Sequence, residues 1–131
     1  MTRLDELQAM SRKLAEAFSS GNITRGVVLI GELVLQEMVE VFGHSEQQGM
    51  LDQLQNMRRI NFGEVTREEM LNVELDLFKE IARLGATPLD VSNESLQKFE
   101  KALKTLIFDY SRSDMKALWE EIKVELDRRG V

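Results

Sequence analysis

The sequence predicts an all-α fold, a compact bundle of five or six amphipathic helices packed around a central apolar helix at about residues 23–42. Three observations predict it. The chain is rich in Leu, Met, Glu, Lys and Arg, holds a single Pro and shows little strict apolar–polar alternation, which suits helices better than strands. Apolar residues recur at three- and four-residue steps in one segment after another. Gly, Ser, Asn and Thr separate these segments where helices cap and stop. A short α-solenoid of three helical hairpins is the alternative, but the hairpins share no residue pattern of the kind stacked repeats show.

The first helix is expected at about Arg3–Phe18, with Thr2 as N-cap and Leu4, Leu7, Met10, Leu14 and Phe18 as its stripe. Ser19-Ser20-Gly21-Asn22 ends it, and Asn22 is placed to cap the second helix, about Ile23–Phe42. Gly43 suits the position just past its end. This helix carries the longest apolar run, VVLIGELVLQEMVEVF from Val27 to Phe42. Val27, Ile30, Val34, Leu35, Met38, Val41 and Phe42 cover one broad side. Glu32, Gln36 and Glu40 form a narrow polar stripe with Glu37 beside it, and Leu29 and Leu33 are set into that stripe. A helix apolar nearly all round belongs at the centre of a bundle. A strand through Val27–Ile30 is the rival, and the four-residue spacing of the polar positions favours the helix. Gly26 and Gly31 each cost a helix interior roughly 1 kcal/mol relative to Ala, which reads as close approach of a neighbouring helix.

Ser45 and Gln48 form a capping-box pattern that opens a third helix, about Glu46–Ile60, with Met50, Leu51, Leu54 and Met57 apolar. Asn61-Phe62-Gly63 ends it. Thr66 and Glu69 repeat the box, flanked by Val65 and Met70 as a hydrophobic staple, and open a fourth helix at about Arg67–Leu84. Gly85–Asn93 is linker-like, and Thr87-Pro88 could start one helical turn there. The tail beyond is too short to fold alone without staples, so residues 1–131 read as a single helical domain. Ser92 opens a fifth helix, about Asn93–Tyr110, with Leu96, Phe99, Leu103, Leu106, Ile107 and Tyr110 apolar. Ser111 or Ser113 caps a sixth, about Asp114–Arg129, with Met115, Leu118, Trp119, Ile122 and Leu126 apolar. Short connections make sequential helices antiparallel neighbours.

Composition removes several chemistries. There is no Cys, hence no disulfide, thiolate–zinc site or thiol nucleophile. His44 is the single His, too few for a Glu-x-x-His di-iron bundle, and its place between Gly43 and Ser45 reads as an exposed loop residue rather than a catalytic base. Gly21, Gly26 and Gly31 fit neither phosphate-loop pattern, and no EF-hand loop occurs. Glu37-Met-Val-Glu40 matches half of a helical metal–carboxylate motif and lacks the other half. No cofactor is expected. The start, MTRLDELQAM, lacks the basic and apolar regions of a secretory signal, and the apolar run falls short of the ~20 residues a membrane helix needs. The expected location is the cytoplasm.

The net charge of −6 argues against a nucleic-acid binder, which neutralises phosphates with clustered Lys and Arg. Only Lys98, Lys101 and Lys104 line up as a basic stripe. Between Val27 and Met57 stand Glu32, Glu37, Glu40, Glu46 and Asp52 with no Lys or Arg. The expected function is therefore non-enzymatic binding of another protein, as an adaptor, export chaperone, inhibitor or immunity-type protein, with a homodimer as one possible form. The partner-facing candidates are Leu29, Glu32, Leu33, Gln36, Glu37 and Glu40, while Phe108 and Val124 are apolar residues off their helix stripes. A small-molecule or carboxylate-metal bundle is the alternative, using Glu74 or Glu37 and Glu40, and a nucleic-acid-binding regulator is a third class. Glu74 and Arg58 each lie inside an apolar arc, so they are expected to form a partly buried ion pair with each other.

Overall fold

The structure is a computed structural model and describes residues 2–85 and 90–131. The expected turn at Thr87-Pro88 lies outside the described residues. Among the described residues there are six α-helices, two single 3-10 turns and no strand. The α-helices are α1 (Arg3–Ser19), α2 (Arg25–Glu40), α3 (Gln48–Asn61), α4 (Arg67–Ala82), α5 (Asn93–Asp109) and α6 (Lys116–Arg129). No helix among the described residues is long and apolar enough to cross a membrane. The sequence reads as one domain; the helices group into two compact units, Leu4–Thr66 with α1 to α3, and Met1–Arg3 plus Arg67–Val131 with α4 to α6.

In the Leu4–Thr66 unit, α1 ends at Ser19, and Gly21 just beyond it takes φ +77°, open to glycine at no steric cost. Asn22 is not the cap of α2. Thr24 takes that role, in an extended conformation from which its hydroxyl accepts from the Val27 N–H at 3.2 Å. Asn22 stands too early to reach that N–H because the helix itself begins only at Arg25. Past its other end, Gly43 adopts φ +70° and His44 N–H donates to the Met38 carbonyl at 2.9 Å, the wrapped helix ending expected there. The expected capping box at Ser45 gives way to a 3-10 turn over Ser45–Gln47, and α3 starts at Gln48 with no side-chain cap.

The inward face of α2 is rotated from the one the apolar pattern suggests. Val28, Leu29, Gly31, Glu32, Val34, Leu35 and Met38 are buried, Val27 and Ile30 are half-buried, and Val41 is 66% exposed. Where a helix is apolar nearly all round, its own pattern says little about which side turns inward, and its neighbours decide. One neighbour is α3, which packs along α2. Another is α1: a Cβ at position 31 would lie 2.9 Å from Leu54 Cδ1 of α3 and about 4 Å from Phe18 and Leu14 of α1. Gly31 is thus a close-approach glycine, as its sequence position suggests. Gly26 is not, since such a Cβ would meet only the Thr24 hydroxyl at 4.0 Å.

In the second unit α5 packs against both α4 and α6. Leu96, Phe99, Ala102, Leu103, Leu106 and Ile107 are buried along it, close to the expected stripe. Phe99 stacks on Phe78 of α4 with ring centres 3.8 Å apart and planes 10° from parallel. Ser92 caps α5 by accepting from the Ser95 N–H at 3.2 Å. The buried Ser95 hydroxyl accepts in turn from the Arg3 guanidinium at 2.7 Å, tying Arg3 to this unit.

Candidate functional site

The Leu4–Thr66 unit combines a polar clamp with an apolar pocket. Its clamp starts from Glu32, a carboxylate that α2 carries into the interior at 5% exposure. A buried carboxylate needs a charged, hydrogen-bonding partner. Arg58, in the last turn of α3, supplies one: its Nε donates to both carboxylate oxygens, at 3.0 and 2.9 Å. A second arginine works from the other helix. Arg25, at the start of α2, donates to the carbonyls of Phe62 and, at 2.9 Å, of Glu64. These carbonyls belong to the segment that follows α3, where Gly63 takes φ +74°. The two arginines thereby fasten α2, α3 and the exit of α3 to one another.

Arg58 therefore pairs with Glu32 and not with Glu74, which corrects the expected pairing. The helix wheel marks Arg58 as facing inward, and the acid it meets is the one on the helix it packs against. Glu74 is half-buried within the arc of Val73, Leu77, Phe78 and Ile81, as its position on α4 suggests, and it belongs to the other unit.

The pocket opens where the three helices of this unit meet. It has a volume of about 240 Å³ and is lined mostly by apolar atoms. Leu14, Ala15 and Phe18 of α1, Gly31 and Leu35 of α2, and Met50 and Leu54 of α3 form its walls, with Ser11 and Ser19 at the polar edge. Its existence follows from small side chains. Ser11, Ala15 and Ser19 recur every four residues and so form one row along α1, and Gly31 has no side chain to fill the floor. Met50, 49% exposed, stands at the rim with a flexible, polarisable side chain. None of these residues was singled out by charge or motif. The available signal is the four-residue row of small residues on α1 together with a helix-interior glycine.

The expected partner stripe on α2 divides in two. Leu29 and Glu32 are core side chains, so neither is presented to a partner. Leu33 and Glu37 are half-buried, and Gln36 and Glu40 are exposed, with Gln36 Nε2 donating to Glu40 Oε1 at 3.4 Å. The exposed part of the stripe continues into Glu46 at the start of the next turn, where His44 Nδ1 lies 3.4 Å from Glu46 Oε1. Glu37 and Glu40 gain no further acid: among the described residues no group of three or more His, Asp or Glu is arranged to hold a metal ion.

Two further polar constructions lie in the other unit. Glu125 of α6 is buried and accepts from both Arg128 and Arg129. Hydrogen bonds from Arg128 first and Arg129 second pull its carboxyl down to about 2, against the desolvation that pushes the other way. Arg129 also donates to the Val91 carbonyl at 2.7 Å and to Asn93 Oδ1 at 3.2 Å, joining the end of α6 to the start of α5. On the same two helices, Phe108 and Trp119 meet edge to face with ring centres 5.5 Å apart. No protein-family model, curated protein or solved structure shows significant similarity to this chain.

Proposed function

We propose that the chain is a non-enzymatic protein-binding protein whose Leu4–Thr66 unit takes an apolar side chain of its partner into the pocket beside Gly31. The observation that carries this reading is the pocket itself: preformed, apolar, floored by a glycine and edged by an exposed Met. Pockets that bury a drug-sized ligand run from roughly 300 to 1,000 Å³. At about 240 Å³ this one lies below that range, which favours one anchoring side chain over a free small molecule. Anchor residues of this kind carry most of the affinity in helix-in-groove recognition. Exposed Gln36 and Glu40, with half-buried Leu33 and Glu37, add polar and acidic groups on α2 of the same unit. This unit carries nine Asp and Glu against five Lys and Arg, so a partner with a basic flank is favoured.

The test fills the pocket from its exposed edge. A photo-crosslinking residue at Ser11 should capture a defined partner. Ala15→Phe, on an exposed position of α1, should abolish that capture while leaving helicity and melting temperature unchanged. Capture of the same protein in equal yield by the filled variant would overturn the proposal.

A further inference from the structure

A separate face, on the second unit, has the make-up of a docking surface. Phe108 is 60% exposed, yet its ring is held against Trp119 at an interplanar angle of 86°. Trp119 is itself fixed, since its Nε1 donates to Glu100 at 2.9 Å and the Lys123 ammonium lies 4.1 Å from its ring centre. Lys101 and Lys104 stand exposed seven and four residues before Phe108, hence on the same side of α5. Rings held in place lose little conformational entropy on binding, and burying an exposed Phe removes apolar surface from water. The face is thus aromatic at its centre, with Lys101, Lys104 and Lys123 around it and Glu100, bonded to Trp119, and Glu120, 3.9 Å from the Lys123 ammonium, among them, in a chain whose net charge is −6.

The complement stands on the chain itself. Gly26–Met57 contains no Lys or Arg, Glu32 is paired with Arg58, and the exposed acids there are Glu40, Glu46 and Asp52. Exposed Glu40 stands one residue before Val41 and exposed Glu46 five after it, and Val41 is itself 66% exposed. One face offers rings and ammonium groups; the other offers an apolar side chain among carboxylates. We infer that the Phe108–Trp119–lysine face of one copy docks on the Val41–glutamate end of α2 in a second copy. A nucleic acid or an anionic membrane would seek the same lysines, but both are repelled by the excess acid of the chain and neither answers the apolar centre with Val41. The contact joins two different patches, so it is heterologous.

Sedimentation velocity of the full chain tests this. At low salt the wild type should exceed the single-chain mass as concentration rises. It should return to that mass near 1 M salt, where screening length falls to about 3 Å. Lys104→Glu/Lys123→Glu and Glu40→Lys/Glu46→Lys should each weaken association at least about tenfold, because each sets like charges against each other. Mixing the two variants restores opposite signs and should restore association. Phe108→Ser, at an exposed position, should weaken association without altering any charge. Emission from Trp119, the single Trp, should shift in step with mass. A wild type of single-chain mass at all concentrations, association undiminished in either charge variant, or no recovery on mixing would each overturn the inference. So would binding of oligonucleotides or anionic vesicles by a chain that stays at single-chain mass.

Discussion

Arg58 Nε donates to both carboxylate oxygens of Glu32, at 3.0 and 2.9 Å, across the seam between α3 and α2. The Glu32 side chain is 7% exposed and that of Arg58 19%. Removing one member of a buried pair leaves the other charge without compensation, at a cost of about 3–5 kcal/mol. Arg58→Met should therefore destabilise by roughly 3 kcal/mol, the lower end, since Arg58 keeps some access to water. Replacing both, as Glu32→Leu/Arg58→Met, should recover much of that loss. Urea melts of the two single variants and the double close the cycle. Simple additivity would show that the pair contributes no coupling.

The two helix-interior glycines should respond in opposite directions. Gly26 has open space around it, so Gly26→Ala should stabilise by about 0.5 kcal/mol through helix propensity, an effect muted in the first turn. At Gly31 a Cβ already meets Leu54 Cδ1 at 2.9 Å, and the added methyls of Val would crowd a buried seam. Gly31→Val should destabilise by about 1–3 kcal/mol. Chemical denaturation of both variants checks the ordering, and a stabilising Gly31→Val would rule out the close approach.

Glu125 should make stability depend on acid. Its folded-state carboxyl is lowered from an ordinary 4.5 to about 2 by Arg128 and Arg129. A lowered value means the ionised form is favoured by folding, so the contribution is present above about 4.5 and is lost as pH falls toward 2. Glu125→Gln should be less stable than wild type at pH 7, and the two should converge as pH falls through that window. Melting curves from pH 7 to pH 2 would reveal this, and a constant gap would exclude the linkage.

The two observed N-caps should each be worth a measurable amount. Ser92 accepts from Ser95 N–H, and Thr24 from Val27 N–H, both at 3.2 Å. Ser92→Ala and Thr24→Ala should each cost about 1 kcal/mol. Asn22→Ala, at an exposed position outside the helix, should cost far less, and calorimetry of the three variants distinguishes the true cap of α2 from the expected one.

Local chemistry was legible in the residues alone. Periodicity and punctuation identified an all-helical chain and the positions of its helices, because capping and the 3.6-residue period act over a few neighbouring residues. Ser92 as the cap of α5, Gly43 past the end of α2, and the exposure of Phe108 and Val124 all belong to this level. Tertiary structure alone decided which side of α2 faces inward, that Glu32 is an interior acid, and that its partner is Arg58 on α3. It also decided that Ser11, Ala15 and Gly31 leave a pocket between three helices. The physical reason is the same in each case. A nearly all-apolar helix has no preferred inward side of its own, and the space left by small residues exists only once other helices stand around it.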